Sequence, residues 1–263
     1  MHTVYKAEIL SVGNELLSGR TINTNSAYIA QRLTILGYSV RRITTIGDNL
    51  EDISLVIKEI IERKPKLLVI TGGLGPTYDD ITVEGLAKAL NLKTIINEDA
   101  LNELKEKYMK RGLELTQERI KMAILPEGAL SVKNTQGIAP GFMLKYNETV
   151  ILVTPGVPKE MEAVLDYFIN NLLNEKPPIH YYEESFLVKG VMESELAPHI
   201  KKMVKEYDIY IKTHPKGHET KDPFLEIQVA SSGLNKDETL NRVKDTIARL
   251  KTIVKQLNGV IID

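Results

Sequence analysis

The chain of 263 residues exceeds the usual size of one domain, so its length predicts one large domain or two. With 43% hydrophobic and 26% charged residues, its composition is typical of a globular protein. The net charge of −1 gives no basic field that would attract nucleic acid or an anionic membrane, and the lack of cysteine excludes disulfides, thiolate metal sites and a cysteine nucleophile. No apolar stretch reaches about 18 residues and no basic leader begins the chain, so we predict a cytoplasmic protein without a membrane or nucleic-acid partner.

A short apolar strand is predicted over residues 7–12, and a helix over residues 23–36. The strand ends at Gly13. The loop between strand and helix follows the carboxyl end of the strand, which is where open α/β sheets bind ligands. Glu15 and Asn25 are its candidate ligand-binding side chains, although a loop acid and a helix cap fit the same pattern.

Two further strands follow with short connections. A strand over residues 38–46 precedes Asp48 and a helix over residues 50–63, and a third strand covers residues 66–71. Asp48 repeats the placement of an acid at the end of a strand, but the pattern also allows it to cap the next helix. Because strands and helices alternate, we expect right-handed βαβ units and a parallel sheet.

The third strand continues into the segment L-L-V-I-T-G-G-L-G-P-T-Y-D-D-I-T-V-E-G, which indicates a buried strand, a glycine turn and the start of a helix. Its glycines, Gly72, Gly73 and Gly75, let a ligand approach the backbone amides, and the helix start attracts anions. Asp79 and Asp80 would repel an anion unless a divalent cation lay between, so the segment predicts an anionic ligand together with Mg²⁺. A plain glycine turn followed by an aspartate helix cap is the alternative.

The next segment is predicted to form helices over residues 97–111 and 116–123 as a flap beside the sheet. Strands over residues 141–146 and 149–154 form a hairpin that extends the sheet. The sequence T-P-G-V-P-K-E-M then begins another helix. Lys159 opposes the dipole at that helix start, which indicates either an exposed side chain or a bound phosphate.

The segment N-E-K-P-P is the predicted linker, and it gives domains of residues 1–175 and 176–263. The second domain shows the order strand, helix, strand, strand, helix, strand, which is that of a ferredoxin-like fold. Its strands are expected over residues 185–189, 209–213, 224–231 and 260–262, and its helices over residues 193–207 and 237–257.

Several common catalytic motifs are absent or out of context. There is no G-x-x-x-x-G-K-[ST], and the glycine turn fails the dinucleotide-binding fingerprint at its last glycine. H-E-x-x-H, G-x-S-x-G and S-x-x-K do not occur in a fitting context. His214 and His218 have the spacing of ligands on one helix face, but Pro215 and Gly217 disfavour a helix, so a solvated loop is favoured over a metal pair.

What remains is a set of acids and glycines at the carboxyl ends of neighbouring strands. Its members are Glu15, Asp48, Asp79, Asp80 and the turns at Gly141 and Gly156. Such an arrangement supports metal-assisted attack on a phosphate or pyrophosphate by water or by another phosphate.

The motifs A-E-I-L-S-V-G-N-E-L-L-S-G-R-T-I-N-T-N-S, T-I-G-D-N, I-T-G-G-L-G-P-T-Y-D-D-I-T, A-P-G-F and T-P-G-V-P-K-E-M occur in this order. Together they resemble the N-terminal part of the CinA family and, more distantly, the molybdopterin-binding domains of MoaB and MogA type. The resemblance implies a three-layer α/β/α molybdopterin-binding-like domain with a mostly parallel sheet, followed by a small α+β domain of ferredoxin-like or KH type. It also implies an ADP-ribose pyrophosphatase that depends on Mg²⁺, Mn²⁺ or Co²⁺ and forms AMP and ribose 5-phosphate.

Carried over by position, the resemblance assigns Gly72, Gly73 and Gly75 to phosphate, Asp80 and Asp48 to the metal site, and Pro155, Gly156 and Lys159 to the P-G-x-P-K turn. We therefore predict catalysis by Asp80 and Asp48 and metal binding by both, together with Asp79. The residues predicted to bind substrate or phosphate are Gly13, Glu15, Asn25, Gly72, Gly73, Gly75, Pro76, Thr77, Gly141, Pro155, Gly156 and Lys159. Leu74 stands where the related adenylyltransferases have threonine, so molybdopterin adenylation is an alternative rather than the first hypothesis. The resemblance is also compatible with a molybdopterin- or nucleotide-binding protein and with an FAD pyrophosphatase.

Longer CinA proteins add a deamidase domain that this sequence does not include. The second domain is similar to the KH-type domain that accompanies the family, but it lacks the G-x-x-G loop with which KH domains clamp a nucleic-acid backbone. We therefore expect it to have a structural or dimerising role. The expected partners are a small nucleotide substrate and further copies of the chain, as a dimer rather than a trimer.

Overall fold

A computed structural model describes residues 5–218 and 221–262. The chain divides into two compact units, of which the first comprises residues 1–34 and 38–176 and the second residues 35–37 and 177–263. None of the helices in the described ranges is long and apolar enough to cross a membrane.

The first unit contains eight strands in chain order. They are β1 (Lys6–Val12), β2 (Ser39–Ile46), β3 (Leu67–Thr71), β4 (Thr94–Ile96), β5 (Ile124–Pro126), β6 (Leu130–Val132), β7 (Gly141–Tyr146) and β8 (Thr149–Thr154). Six of them form one sheet in the order β2-β1-β3-β8-β7-β6. The pairs β1–β2, β1–β3 and β3–β8 are parallel, whereas β7 pairs antiparallel with β8 and with β6. The predicted parallel sheet and its hairpin extension are thus confirmed, while the separate β4–β5 pair was not predicted.

In the described part of this unit, six α-helices and one 3₁₀ turn lie between these strands, and a seventh helix follows β8. They are α1 (Asn14–Leu17), α2 (Thr24–Ile35), α3 (Leu50–Glu62), α4 (Thr82–Leu90), α5 (Glu98–Met109), α6 (Gln117–Ile120), the 3₁₀ turn Lys121–Ala123 and α7 (Pro158–Asn171). Asn49 caps α3, because its side chain accepts hydrogen bonds from the backbone N–H groups of Glu51 and Asp52. The interpretation of Asp48 as the cap of this helix is therefore wrong.

Helices cover both faces of the central sheet. Alternate strand residues, such as Leu10, Ile70 and Val153, share one core cluster with buried side chains of α3, α4 and α5. Helix α7 packs on the sheet outside that cluster. Its Phe168 is fully buried, and its Val164 lies so close to Gly141 of β7 that a Cβ on the glycine would collide with it. The sheet is thus buried between helical layers, and its strand ends converge at one edge.

The second unit forms a small antiparallel α+β domain. Its elements are β9 (His180–Lys189), α8 (Glu193–Glu206), β10 (Tyr210–Pro215), β11 (Phe224–Gly233), α9 (Lys236–Gln256) and β12 (Val260–Ile262), with sheet order β10-β11-β9-β12. This is the arrangement of a ferredoxin-like fold, as predicted. Its own core includes Val188, Leu196, Ile227, Val243 and Leu250, so the unit has the packing of an independent domain.

Candidate functional site

A cleft of about 620 Å³ opens at the carboxyl edge of the sheet in the first unit. The predicted site residues that line it are Gly13, Glu15, Asp48, Gly72, Gly73, Gly75, Pro76, Thr77, Asp79, Asp80, Pro155 and Gly156. They follow the ends of β1, β2, β3 and β8, because the carboxyl ends of neighbouring parallel strands meet at one edge. The structure therefore brings together four segments that are distant in sequence.

The glycine turn after β3 is shaped by its own close contacts. Gly72 has φ 105, and a Cβ there would collide with the carbonyl oxygen of Val12 at the end of β1. A Cβ on Gly75 would collide with the carboxylate of Asp80. Thr82 closes the turn by donating its hydroxyl to the carbonyl of Gly72 at 2.9 Å. Glycine is thus required at these positions by the fold of the turn itself, in addition to any need for a ligand to approach.

The carboxylate of Asp80 is held by the turn that precedes it. Its Oδ2 accepts hydrogen bonds from the backbone N–H of Thr77 at 2.9 Å and from the Thr77 hydroxyl at 2.6 Å. The same hydroxyl lies 2.5 Å from Oδ1 of Asp79, so its single proton is shared between the two carboxylates, and this contact is the main reason why the pKa of Asp79 is lowered. Neither aspartate caps α4, whose N-cap position is Ile81 without a side-chain hydrogen bond, so the helix-cap alternative is wrong.

Asp48 approaches this turn from the end of β2. Its Oδ2 accepts a hydrogen bond from the backbone N–H of Asn14 at 2.8 Å, and Oδ1 of Asn14 accepts in return from the Asp48 N–H at 3.3 Å. The pKa of Asp48 is raised, first by burial and then by the charges of Glu15, Asp79 and Asp80, although the Asn14 hydrogen bond opposes the shift. These four carboxylates, here called the acid wall, are therefore close enough to repel one another.

A second group of lining residues, here called the apolar wall, consists of Tyr108, Met122, Ile138 and Ala139, with Glu160 also in the lining. Sequence reasoning did not identify any of these residues as part of the site. Glu160 comes from the first turn of α7, whereas the residues of the acid wall follow β1, β2 and β3, so it belongs to a separate segment of the lining. Glu160 lies in the sequence K-E-M at the start of α7, directly after Lys159, which was the residue predicted to bind the ligand.

A buried asparagine fixes the position of Glu160. Asn134 is fully buried and donates its Nδ2 to Glu160 Oε2 at 2.6 Å and to the carbonyl of Ala139 at 2.8 Å. Its Oδ1 accepts from the backbone N–H groups of Gln136 and Gly137 at 3.0 and 2.9 Å. Because every polar atom of this side chain is used, the loop that carries Ile138 and Ala139 is held in one arrangement relative to Glu160.

Three predicted site residues do not line the cleft. Asn25 lies behind it and donates its Nδ2 to Thr71 Oγ1 at 3.0 Å and to the carbonyl of Gly156 at 2.8 Å. Gly141 is buried against α7 at the start of β7, and Lys159 is exposed in the first turn of α7. Asn25 therefore supports the turn at Gly156, whereas the structure gives Gly141 a packing role and leaves Lys159 facing solvent.

The cleft is lined by five carboxylates, those of the acid wall and Glu160, and by no lysine or arginine. Within residues 5–218 and 221–262, no group of three or more histidine, aspartate or glutamate side chains is arranged to hold a metal ion unaided. Mg²⁺ needs only one or two protein carboxylates when substrate phosphates and water supply the remaining ligands. The donor set thus fits a divalent cation that is bound together with a phosphorylated ligand.

Comparisons with known proteins agree with the fold and the motifs. Residues 8–175 match the family described as a probable molybdopterin binding domain. A protein of Metallosphaera sedula is 61% identical over 98% of this chain and 97% of its own length, and one of Sulfurisphaera tokodaii is 53% identical over 98% of each chain. The crystal structure of a CinA protein of unknown function from Thermoplasma acidophilum is 43% identical and covers 63% of this chain and 98% of its own, with a TM-score of 0.59. The predicted resemblance to the CinA N-terminal part is confirmed.

Proposed function

The chain belongs to the family described as a probable molybdopterin binding domain, and we propose that it is a divalent-cation-dependent pyrophosphatase. Its proposed substrate is ADP-ribose or a related dinucleotide such as FAD. Water attacks one phosphorus of the pyrophosphate, the bridging P–O bond breaks, and the products from ADP-ribose are AMP and ribose 5-phosphate. The cation is Mg²⁺, Mn²⁺ or Co²⁺.

The observation that carries this proposal is the composition of the cleft lining. Glycine-turn amides at the ends of β3 and β8 suit phosphate oxygens, yet the charged side chains around them are all acidic. An anionic ligand without a cation would be repelled by this lining, whereas a complex of cation and pyrophosphate would be attracted. The apolar wall then offers a surface on which a purine or flavin ring can pack.

Each part of the lining has a role in this proposal. Asp80 and Asp48 hold the divalent cation, with Asp79 beside them, and the cation would neutralise the charge that develops on the phosphate oxygens. The glycine turn lines the cleft at Gly73 and Gly75, so its backbone lies next to the proposed pyrophosphate site. Glu160 belongs to a separate segment of the lining, so we assign it to accept the proton of the attacking water. Asn134 keeps that carboxylate in place through the hydrogen bond to Oε2 and leaves Oε1 for the water.

The test is a product analysis with the purified full chain. ADP-ribose, FAD, and ATP together with molybdopterin are incubated separately with Mg²⁺, Mn²⁺ or Co²⁺. Formation of AMP and ribose 5-phosphate from ADP-ribose, abolished by a chelator and restored by the cation, is the expected result. If none of the three cations gives AMP from ADP-ribose or FAD, the pyrophosphatase proposal is wrong.

A second candidate is binding or adenylation of a molybdopterin-type ligand. The match of residues 8–175 to the molybdopterin-binding family favours it, as does the apolar wall, which suits a pterin ring as well as a purine. Leu74 is 6% exposed and gives the glycine turn an apolar side chain where the related transferases have threonine. Release of pyrophosphate only in the mixture of ATP and molybdopterin would favour this second function.

The cytoplasmic location and the homo-oligomeric state stay predictions. The fold of the second unit is compatible with a dimerising role, which the structure of a single chain does not test. Light scattering on the full chain and on a shortened chain of residues 1–176 would show whether association depends on the second unit.

A further inference from the structure

A lysine from outside the acid wall bonds to the backbone of the turn that carries Asp79 and Asp80. Lys121 begins the 3₁₀ turn after α6, and its Nζ donates to the carbonyl of Asp80 at 2.7 Å and to that of Thr77 at 2.9 Å. The same Nζ lies 3.9 Å from Oε1 of Glu84, and the side chain is 27% exposed. Lys121 is not part of the lining of the main cleft, but it lines a smaller adjoining pocket together with Gly75 and Asp80.

The two carbonyls that Lys121 binds lie at either end of the tetrapeptide from Thr77 to Asp80. Thr77 supplies both donors that hold Asp80 Oδ2, and the Asp80 N–H donates to the Thr77 carbonyl at 3.3 Å. The Thr77 carbonyl therefore accepts from Asp80 within the turn and from Lys121 outside it. The orientation of the Asp80 carboxylate depends on Thr77, and the position of Thr77 depends on Lys121.

The charge of Lys121 and its hydrogen bonds have opposite effects on a cation at the acid wall. A positive charge close to the wall weakens the binding of another cation by Coulomb repulsion. The two hydrogen bonds instead hold the turn in one arrangement, which lowers the entropy lost when its carboxylates bind a cation. Removal of the ammonium group therefore separates the two effects. Cation affinity rises if the repulsion is larger, and it falls if the positioning of the turn is larger.

We propose that Lys121 is a positioning residue that holds Asp79 and Asp80 in the arrangement that accepts the divalent cation. Because Tyr108 and Met122 of the apolar wall belong to the same stretch from α5 to the 3₁₀ turn, Lys121 also connects the two walls of the cleft. The inference concerns the cation site of the proposed function and rests on that function for its catalytic consequence. Its structural part, the fixing of the turn, stands independently.

The test compares Lys121→Met with Lys88→Met. Methionine keeps the length of the side chain but cannot donate a hydrogen bond, and Lys88 is an exposed lysine of α4 that pairs with Glu51, away from the turn. Hydrogen exchange of the amides of Thr77 and Asp80 is measured without cation, with the Gly85 amide inside α4 as the reference. We expect the two turn amides to exchange about tenfold faster in Lys121→Met and to be unchanged in Lys88→Met.

Binding of Mn²⁺ in the presence of AMP is the second measurement, followed by electron paramagnetic resonance. Lys121→Met is expected to bind Mn²⁺ about tenfold more weakly than the unmodified chain, and Lys121→Arg, which keeps the charge and the donors, within about threefold. Equal or tighter binding by Lys121→Met would mean that charge alone determines the effect, and this overturns the proposal. If Lys121→Met does not fold, Lys121→Leu, which also lacks a hydrogen-bond donor, is measured in the same way.

The two measurements separate this inference from the proposed function. If the unmodified chain hydrolyses neither ADP-ribose nor FAD, the pyrophosphatase proposal is rejected. If Lys121→Met still speeds the exchange of the turn amides and weakens Mn²⁺ binding, the positioning role of Lys121 is supported on its own. If the unmodified chain binds no Mn²⁺, the cation part of the proposal is overturned. Unchanged exchange at Thr77 and Asp80 overturns the structural part, whatever the activity.

Discussion

The acid wall and the apolar wall of the cleft are assembled in different ways. Asp79 and Asp80 are fixed mainly by a hydroxyl and an amide two or three residues earlier in the same turn. The apolar wall takes residues from α5, from the 3₁₀ turn and from the loop before β7, and its acid is held by Asn134 from 26 residues away. Asp79 and Asp80 thus lie on a turn whose carboxylate contacts are mainly local, with Lys121 bonded to its backbone from outside, whereas Asp48 is held by Asn14 from 34 residues away and the apolar wall depends on tertiary packing. One turn of this kind can therefore serve different ligands when the apolar wall changes.

The largest effect is expected from Asp80→Asn on the acid wall. Asparagine keeps an oxygen that can accept from Thr77 but removes the charge that holds the cation, so kcat for ADP-ribose should fall about 10³-fold with the fold intact. Steady-state kinetics at saturating Mg²⁺ and circular dichroism measure the two quantities. Asp52→Asn, the same change at an exposed acid in the first turn of α3, is the matched control. An unchanged kcat in Asp80→Asn would remove Asp80 from the cation site.

A smaller loss is expected on the other side, from Glu160→Gln. Glutamine can still accept the hydrogen bond from Asn134 but does not take a proton from water, so kcat should fall about 10²-fold. The Mg²⁺ concentration that gives half-maximal rate should stay the same, because Glu160 is outside the cation group. Glu162→Gln, on the same helix but not in the cleft lining, serves as control. If kcat is preserved but more Mg²⁺ is needed for the half-maximal rate, Glu160 is a cation ligand. Cation binding would then not be confined to the acid wall.

The smallest effect concerns stability and arises from repulsion within the acid wall. The pKa of Asp48 is raised in the folded state, so folding favours its protonated form. This contribution to the free energy of unfolding is fully present below the pKa of the unfolded state. It is lost as the pH rises through the pKa of the folded state. Asparagine imitates the protonated form at every pH. Asp48→Asn should therefore raise Tm by about 1–2 °C at pH 7, and the gain should disappear below about pH 4. Thermal melts from pH 3 to 8 would show this, and a lower Tm at pH 7 would contradict it.

The sequence predicted those features that depend on neighbouring residues. All five residues of β3 are buried, and this continuous apolar run was recognisable as a central strand. Asp80 was chosen because its position in G-G-L-G-P-T-Y-D-D-I-T parallels that of an acid in the motif of the related transferases. The short helix α1 was missed, because four residues are too few to show a helical period.

Features that depend on distant contacts were not predictable from one sequence. Lys121 reaches Asp80 from 41 residues away, and nothing in the order Q-E-R-I-K-M-A indicates that its ammonium group turns toward a backbone carbonyl. Lys159 shows a different case, because its helix-start position allowed either an exposed side chain or a bound phosphate, and its side chain is exposed outside the cleft lining. A local pattern identifies which residue types are present, whereas tertiary packing decides which of them face the cleft.

The tightness of the glycine turn also determines how the protein can be engineered. A side chain at Gly72 would collide with the Val12 carbonyl, and one at Gly75 with the Asp80 carboxylate, so libraries that randomise these positions would consist mostly of misshapen turns. Tyr78 in the same turn is 92% exposed and can be exchanged without disturbing its neighbours. Variation that begins at Tyr78 and extends to the apolar wall would explore new ligand preferences while the turn stays intact.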